Sequence, residues 1–228
     1  MSNTLKHKVL DANKWIVEKK LVELTWGNVS AIDRLNGEIY IKPSGIILEK
    51  IKARDISVID REGVARSGLK ASVDAPTHVV LYDKFPAITS VIHTHSKYCT
   101  IFAQAGRDIP CLGTTHADYF YGSVPCVPHP SQKKVEEEYE QNTGIAIYDY
   151  FNKNNINYNH TNACLVAGHG VFVWGSTVNK ALENAYVLEI IAEMAYKTLN
   201  LNPSSNLQQF ILDKHFLRKH GKDKYYGQ

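Results

Sequence analysis

The stretch Ser90–Thr100, SVIHTHSKYCT, places two histidines one residue apart at the end of an apolar run. The lead-in Ala87–Ile92, AITSVI, has the length and β-branched content of a buried strand. On a strand, side chains at i and i+2 leave from the same face. His93 and His95 therefore project together, with Thr94 turned the other way. Two imidazoles on one strand face can chelate a divalent ion. The next segment, Ser96–Gly106, SKYCTIFAQAG, reads as a short helix stopped by its glycine.

A metal site built on that pair needs further ligands. His169 is the best candidate, because it lies between Gly168 and Gly170 at the end of another apolar run, where a tight bend can aim a ring inward. Asp74, which opens DAPTHVVLYDKF, could add an oxygen. Three nitrogens and one oxygen with positions left open describe a catalytic site; a structural site closes its shell, usually with thiolates. Taken singly, each residue has a commoner structural reading. An H-x-H pair is more often bonded to backbone, and Asp74 would serve as the N-cap of a helix with Pro76 in its first turn. His78 and His7 read as surface residues. His129 and His160 fall in polar loops, and His116 lies in an unusual loop, GTTHADYFYG, dense in hydroxyls and rings.

The rest of the chain supplies a scaffold. The first twenty residues carry Leu5, Val9, Ala12 and Ile16 at helical spacing. VELTWGNVSAI and GEIYIKPSG read as strands joined at Asn36-Gly37, a strong hairpin signal. RDISVIDREGVA reads as a strand and turn, NTGIAIYDYF as a helix, and ACLVAGHGVFVWG as two strand halves around the glycines. STVNKALENAYVLEIIAEMAYKTLN and LQQFILDKHFLRKHG are the last two helices. Hairpins mixed with helices favour an α/β fold with a mostly antiparallel central sheet covered by helices. The 228 residues suit a single domain, 1–228, with one substantial core.

Composition narrows the function classes. A formal charge of +3, dispersed along the chain, gives no nucleic-acid footprint. No apolar run approaches the roughly 18 residues of a membrane span, and no apolar signal core opens the chain. Cys99, Cys111, Cys126 and Cys164 form no C-x-x-C pair, which fits free thiols in a cytoplasmic protein. The basic segment HFLRKHGKDKYYGQ is the one local charge excess, and a solvated helix end accounts for it.

LTWGNVSAID, IKPSGI, DAPTHVVLY, IHTHS, GTTHADYFYG, AGHGVFVWG and LDKHFLRKHG…YYGQ occur in register from about Leu5 to Gln228. In this the sequence resembles the epimerase branch of the class II aldolase/epimerase family of zinc sugar-phosphate enzymes. The resemblance implies a three-layer fold with helices on both sheet faces and a four-fold symmetric homotetramer. It assigns His93, His95 and His169 as ligands of Zn2+, with Mn2+ or Co2+ as substitutes, and Asp74 as a nearby carboxylate and fourth ligand. Related aldolases tend to carry Glu at Asp74, so the shorter side chain favours the epimerase branch. The phosphate of the substrate would sit against Gly27, Asn28, Ser44, Gly45 and Ser72. Lys42 would either add charge there or stand exposed. Val73 occupies a position where the family often has a second hydroxyl, which leaves only its backbone N–H to donate.

The reaction implied is interconversion of L-ribulose 5-phosphate and D-xylulose 5-phosphate at C4, by breaking and remaking the C3–C4 bond. Asp118 and Tyr226 would exchange the proton of the C4 hydroxyl, the tyrosine reaching in from a neighbouring subunit, with Thr114 and His215 in support. Arabinose and ascorbate catabolism both use this step. The competing expectations are an aldolase or epimerase acting on a related sugar phosphate, and a non-catalytic sugar-phosphate-binding module.

Overall fold

The computed structural model describes residues 2–226. Met1, Gly227 and Gln228, the ends of the expected 1–228 domain and of the YYGQ tail, lie outside the described residues. Among the described residues, eight strands form one sheet: β1 (Asn28–Asp33), β2 (Glu38–Ile41), β3 (Ser57–Ile59), β4 (Ala65–Ser67), β5 (Ser90–Thr94), β6 (Cys126–Val127), β7 (Ala163–Val166) and β8 (Gly170–Gly175). Their order is β4-β3-β2-β1-β5-β8-β7-β6, with every neighbouring pair antiparallel except β6 and β7. Among the described residues seven α-helices flank it: α1 (Ser2–Glu18), α2 (Ala75–Lys84), α3 (Lys97–Gln104), α4 (Thr114–Ala117), α5 (Gln132–Lys153), α6 (Val178–Leu201) and α7 (Gln209–His220).

The period of two along the central strands sorts the core into two layers. Val171 and Val173 of β8 pack with Ile16 of α1, Phe102 of α3 and Leu188 of α6. Phe172 and Trp174 turn to the other face and pack with Leu81 of α2, with Phe85 just past its end and with Phe151 of α5. Burying a side chain such as Phe172 stabilises the fold by roughly 1.5–3 kcal/mol. In β5, Val91 belongs to the α2–α5 layer and Ile92 to the α1–α3–α6 layer. Parity then puts His93 on the α2–α5 side, where it stacks on Phe172 with ring centroids 4.3 Å apart.

The Asn36-Gly37 hairpin forms as expected, with Gly37 at φ +72° and the Leu35 N–H donating to Asp33 Oδ1. The first strand starts later than the sequence suggests. Val22–Gly27 is irregular, with Leu24 at φ +53° and Gly27 at φ +75°, and the ladder begins at Asn28. Helix α5 is longer than NTGIAIYDYF, because a polar stretch that lacks apolar periodicity extends it back to Gln132. The four cysteines are free, and Cys99, Cys126 and Cys164 are buried. Among the described residues no helix is long and apolar enough to cross a membrane.

Candidate metal centre and substrate cavity

β5 lies near the middle of the sheet, so its last residues open onto a rigid edge rather than a mobile loop. His93 pairs across the ladders with Asn28 of β1 and Phe172 of β8. Its Nδ1 meets the Val171 carbonyl at 3.0 Å, and its Nε2 stands 3.1 Å from His95 Nε2. His169 comes from the turn between β7 and β8. Gly168 holds φ +68° there, the Gly168 N–H donates to the Ala103 carbonyl of α3, and the His169 N–H donates to Val166. The three imidazoles form one cluster, with a ligand atom from each lying within 4.8 Å of the others.

Two glycines make room for this cluster. A Cβ on Gly170 would stand 2.7 Å from the Thr94 carbonyl, 3.2 Å from His95 and 3.3 Å from His93. A Cβ on Gly27 would meet the His93 carbonyl at 2.7 Å, in a left-handed conformation that already disfavours side chains. The sequence reading of Gly27 rested on phosphate approach. The structure adds that glycine is required there to close β1 against β5.

A cavity of about 600 Å³ opens over the imidazoles. Gly27, Asn28, Lys42, Ser44, Gly45, Ser72, Val73, Asp74, His93, His95 and His169 all line it, so every expected phosphate and metal residue converges on one space. Thr25 and Trp26 line it too and carried no signal in the sequence. The loops after β2 and before α2 are tied together by Ser44 N–H to the Lys70 carbonyl and Ser72 N–H to the Lys42 carbonyl.

Lys42 lines the cavity and does not stand exposed. Its side chain is almost fully enclosed, and Nζ donates to the Thr25 carbonyl at 2.9 Å. Burial lowers its pKa, and the nearby Asp74 works against that. Val73 is exposed at the cavity rim.

Asp74 occupies the N-cap position of α2 but does not cap it. Its Oδ2 instead accepts from Asn28 Nδ2 at 2.7 Å and from Ser72 Oγ at 3.3 Å. Burial works to raise this carboxyl, but His93, His78, the Asn28 amide and His169 outweigh it and hold it below the usual range. His78 is also unlike its expected surface role. It is fully buried on the sheet side of α2, with Nδ1 2.7 Å from Ser30 Oγ, which in turn lies 2.6 Å from the Tyr82 hydroxyl. A lone histidine on a helix with a weak apolar face gives no sequence cue to this burial.

The donor set fits a divalent metal ion. Burial pushes His93 down to about 3, and it also lowers His95 and His169. All three rings are therefore neutral at pH 7, the form whose lone pair binds a cation. Asn28 Oδ1, buried beside His93, has no hydrogen-bond partner among the described residues, which leaves an oxygen donor on the same cavity.

Asp118, Thr114, His215 and Tyr226 gather elsewhere, and none of them lines that cavity. The Asp118 carboxylate follows α4 and is gripped by α7. Arg218 donates from Nη2 to both carboxylate oxygens at 3.0 Å, and His215 Nδ1 lies 3.1 Å from Oδ1. The Asp118 N–H donates to the Thr114 carbonyl. Tyr226 lies over Arg218, 4.5 Å from guanidinium carbon to ring centre, and its N–H donates to the Arg218 carbonyl. The basic helix end is thus partly engaged. Arg218 follows His215 by three residues, so both face the same partner, a spacing visible in the sequence itself. His116 is buried against Phe120 and lies outside the cavity.

A mostly antiparallel central sheet that carries a three-histidine cluster at one strand end, beside a cradle of serine and glycine loops, defines a class of fold with a candidate metal site. Residues 7–196 match the class II aldolase and adducin N-terminal domain, and the chain belongs to that family. L-ribulose-5-phosphate 4-epimerase UlaF of Salmonella paratyphi C is 45% identical over 226 residues, spanning 98% of both chains. The protein of the same name from Salmonella typhi matches equally well, at 45% over 98% of each chain. Among solved structures, an L-fuculose 1-phosphate aldolase superimposes with a TM-score of 0.79 at 23% identity, covering 93% of this chain and 94% of its own. The L-fuculose-1-phosphate aldolase of Thermus thermophilus gives 0.70 at 19% identity, covering 91% and 100%. At these identities the two structures establish the fold alone.

Proposed function

We propose that this chain interconverts L-ribulose 5-phosphate and D-xylulose 5-phosphate by inverting C4, with residues 1–228 acting as one domain within a homotetramer. The observation that carries the reading is the single cavity that joins three neutral imidazoles to the Gly27–Asn28, Ser44–Gly45 and Ser72 donors. The relatives at 45% identity carry the name of this activity.

In this reading the phosphate rests on the backbone N–H groups around Gly27 and Gly45, with the Ser44 side chain donating, and with Ser72 and Asn28 donating once their hydrogens turn from the Asp74 side to the phosphate. Lys42 lies beneath and offsets the phosphate charge. Val73 contributes only a backbone N–H. His93, His95 and His169 would hold the ion, with Asp74 at its side; nitrogen-rich ligation suits zinc, and manganese or cobalt could replace it. A divalent ion held there would neutralise the negative charge that builds on the C2–C3 fragment as C3–C4 breaks.

The C4 hydrogen is not acidic, since the carbonyl is at C2, so cleavage replaces proton abstraction. The C4 hydroxyl gives up its proton, the C3–C4 electron pair passes to the C3 fragment as an enediolate, and C4 becomes an aldehyde. The aldehyde turns its other face, C3 attacks it, and the new C4 alkoxide takes a proton. One side chain must accept a proton on one face and another must donate on the opposite face. Asp118 and Tyr226 would fill these roles, with Thr114 and His215 holding the aspartate. Because the two sit in one cluster of their own chain, away from that chain's cavity, a single neighbouring subunit would present both. The unpaired cysteines suit a reducing cytoplasm.

The test is incubation of zinc-loaded protein with L-ribulose 5-phosphate, following D-xylulose 5-phosphate in a coupled assay. Formation of the epimer without net release of glycolaldehyde phosphate is the expected result. Net release of fragments would make the enzyme an aldolase, and absence of turnover by folded, zinc-loaded protein would refute the proposal.

A further inference from the structure

Helix α5 is interrupted just before residue 139. Glu138 has φ −147° and ψ 79°, outside helical geometry, in a run that is helical on both sides. A break of this kind frees backbone carbonyls that need new partners. Side chains brace the segment around this one. Thr143 Oγ1 donates to the Tyr139 carbonyl at 2.8 Å, Thr77 Oγ1 of α2 donates to the Glu140 carbonyl at 2.5 Å, and Asn142 Nδ2 reaches across the break to the Lys134 carbonyl at 2.9 Å. Gly144 lets α5 lie close on α2, since a Cβ there would stand 2.8 Å from Val80 Cβ and 3.1 Å from the Thr77 carbonyl. Four residues thus hold the interrupted turn in place.

The break aims Tyr139 at His169. The phenol oxygen lies 3.2 Å from His169 Nδ1, and the two rings are 6.0 Å apart. His93, the ligand candidate on the strand, already has its Nδ1 committed to the Val171 carbonyl. His169 sits in a turn, and the tyrosine gives it the corresponding partner. We infer that Tyr139 is a positioning residue for His169, its hydroxyl oxygen accepting the Nδ1 hydrogen so that Nε2 keeps the lone pair for the ion. The inference rests on the proposed role of the three imidazoles in holding a metal. It extends that role to the helix break that the polar sequence EEEYEQNTG conceals. Outer partners of metal-bound histidines fix tautomer and ring orientation, and removing one typically costs about 10–100-fold in metal affinity.

The test compares wild type with Tyr139→Phe and His169→Ala. Zinc affinity is read by competition with a chromophoric chelator, and the His169 tautomer by nitrogen-15 NMR of histidine-labelled protein. Phenylalanine keeps the ring and its packing and removes only the oxygen, so a merely structural tyrosine predicts wild-type behaviour. The expected result is a rise in zinc Kd of about tenfold or more for Tyr139→Phe, with loss of the Nδ1–H preference at His169 and an unchanged melting temperature in the metal-free state. A zinc Kd within twofold of wild type would overturn the inference while leaving the metal reading intact, provided His169→Ala loses zinc. If His169→Ala binds zinc as tightly as wild type, the metal reading fails and this inference fails with it.

Discussion

Lowering the pH of the metal-free protein from 7 to 5 should remove much of its stability, and the buried histidines set the amount. His78 and His116 are pushed down to about 4 and His93 to about 3, in each case by burial that penalises the charged ring. In the unfolded chain the same rings titrate near 6.5. A group whose folded pKa is depressed leaves stability intact above the unfolded value and removes it as pH falls toward the folded value. The window therefore runs from about 6.5 down to about 4. Between pH 7 and 5 each of the three rings costs about 1.8 kcal/mol, as the unfolded chain gains a proton that the folded chain refuses. Together that is about 5 kcal/mol, against a typical total of about 5–15. Carboxylates contribute little above pH 5, because their ordinary values lie near 4. The assay is urea unfolding of chelator-treated protein, followed by tryptophan fluorescence at pH 7, 6 and 5. His78→Gln should reduce the pH dependence by about 1.8 kcal/mol over this range. A wild-type loss below about 1 kcal/mol would refute the reasoning, because it would mean the rings are protonated in place or already neutral in the unfolded chain.

Asp118→Asn should keep its fold and its zinc while losing about 10²–10⁴ in turnover, the usual worth of a positioned acid–base group; near wild-type epimerase rates would remove Asp118 from the mechanism. Ending the chain at Lys224 deletes Tyr226, whose ring lies on Arg218 and is about half exposed. Turnover should collapse while the melting temperature moves little, and full activity of the truncated protein would show that the tail takes no part in catalysis. Gly144→Ala gains up to about 1 kcal/mol of helix propensity but must push α5 from α2 to relieve the 2.8 Å contact with Val80, an overlap of the kind that costs about 1–3 kcal/mol. Overlap should win, and a melting temperature at or above wild type would show that the helices separate freely.

What could be read from the sequence was what depends on local period and on chemistry carried by neighbouring residues. The i, i+2 parity of a strand put His93 and His95 on one face without any knowledge of the partners; both ladders fix the register of His93, and His95, one residue past the strand end, still lies with its Nε2 3.1 Å from that of His93. The glycines around His169 announced a turn for the same local reason. Residues that act through distant partners were harder to read. Lys42 had two equal readings, because only the fold brings the Thr25 carbonyl to its Nζ. Asp74 looked like a helix cap, because nothing local shows that Asn28, 46 residues away, takes its carboxylate first. His78 was misplaced on the surface, because its helix has a weak apolar face and its partners, Ser30 and Phe172, come from two different strands.

The same distinction explains why Asp118 and Tyr226 were read together with the cavity residues in the sequence and lie apart from them in the folded chain. Motif order along a chain carries no information about which copy of the chain completes a site. The cavity residues are pinned to β1, β5 and the loops that pair beside them, so their convergence follows from the sheet itself. Asp118 and Tyr226 are pinned to α7 instead, through Arg218, which binds the carboxylate with its fork and carries the tyrosine ring on its face. A guanidinium can do both because its edge donates in a plane while its flat face remains free for a ring. Arg218 thereby ties the Asp118 carboxylate and the Tyr226 ring to one side chain of α7.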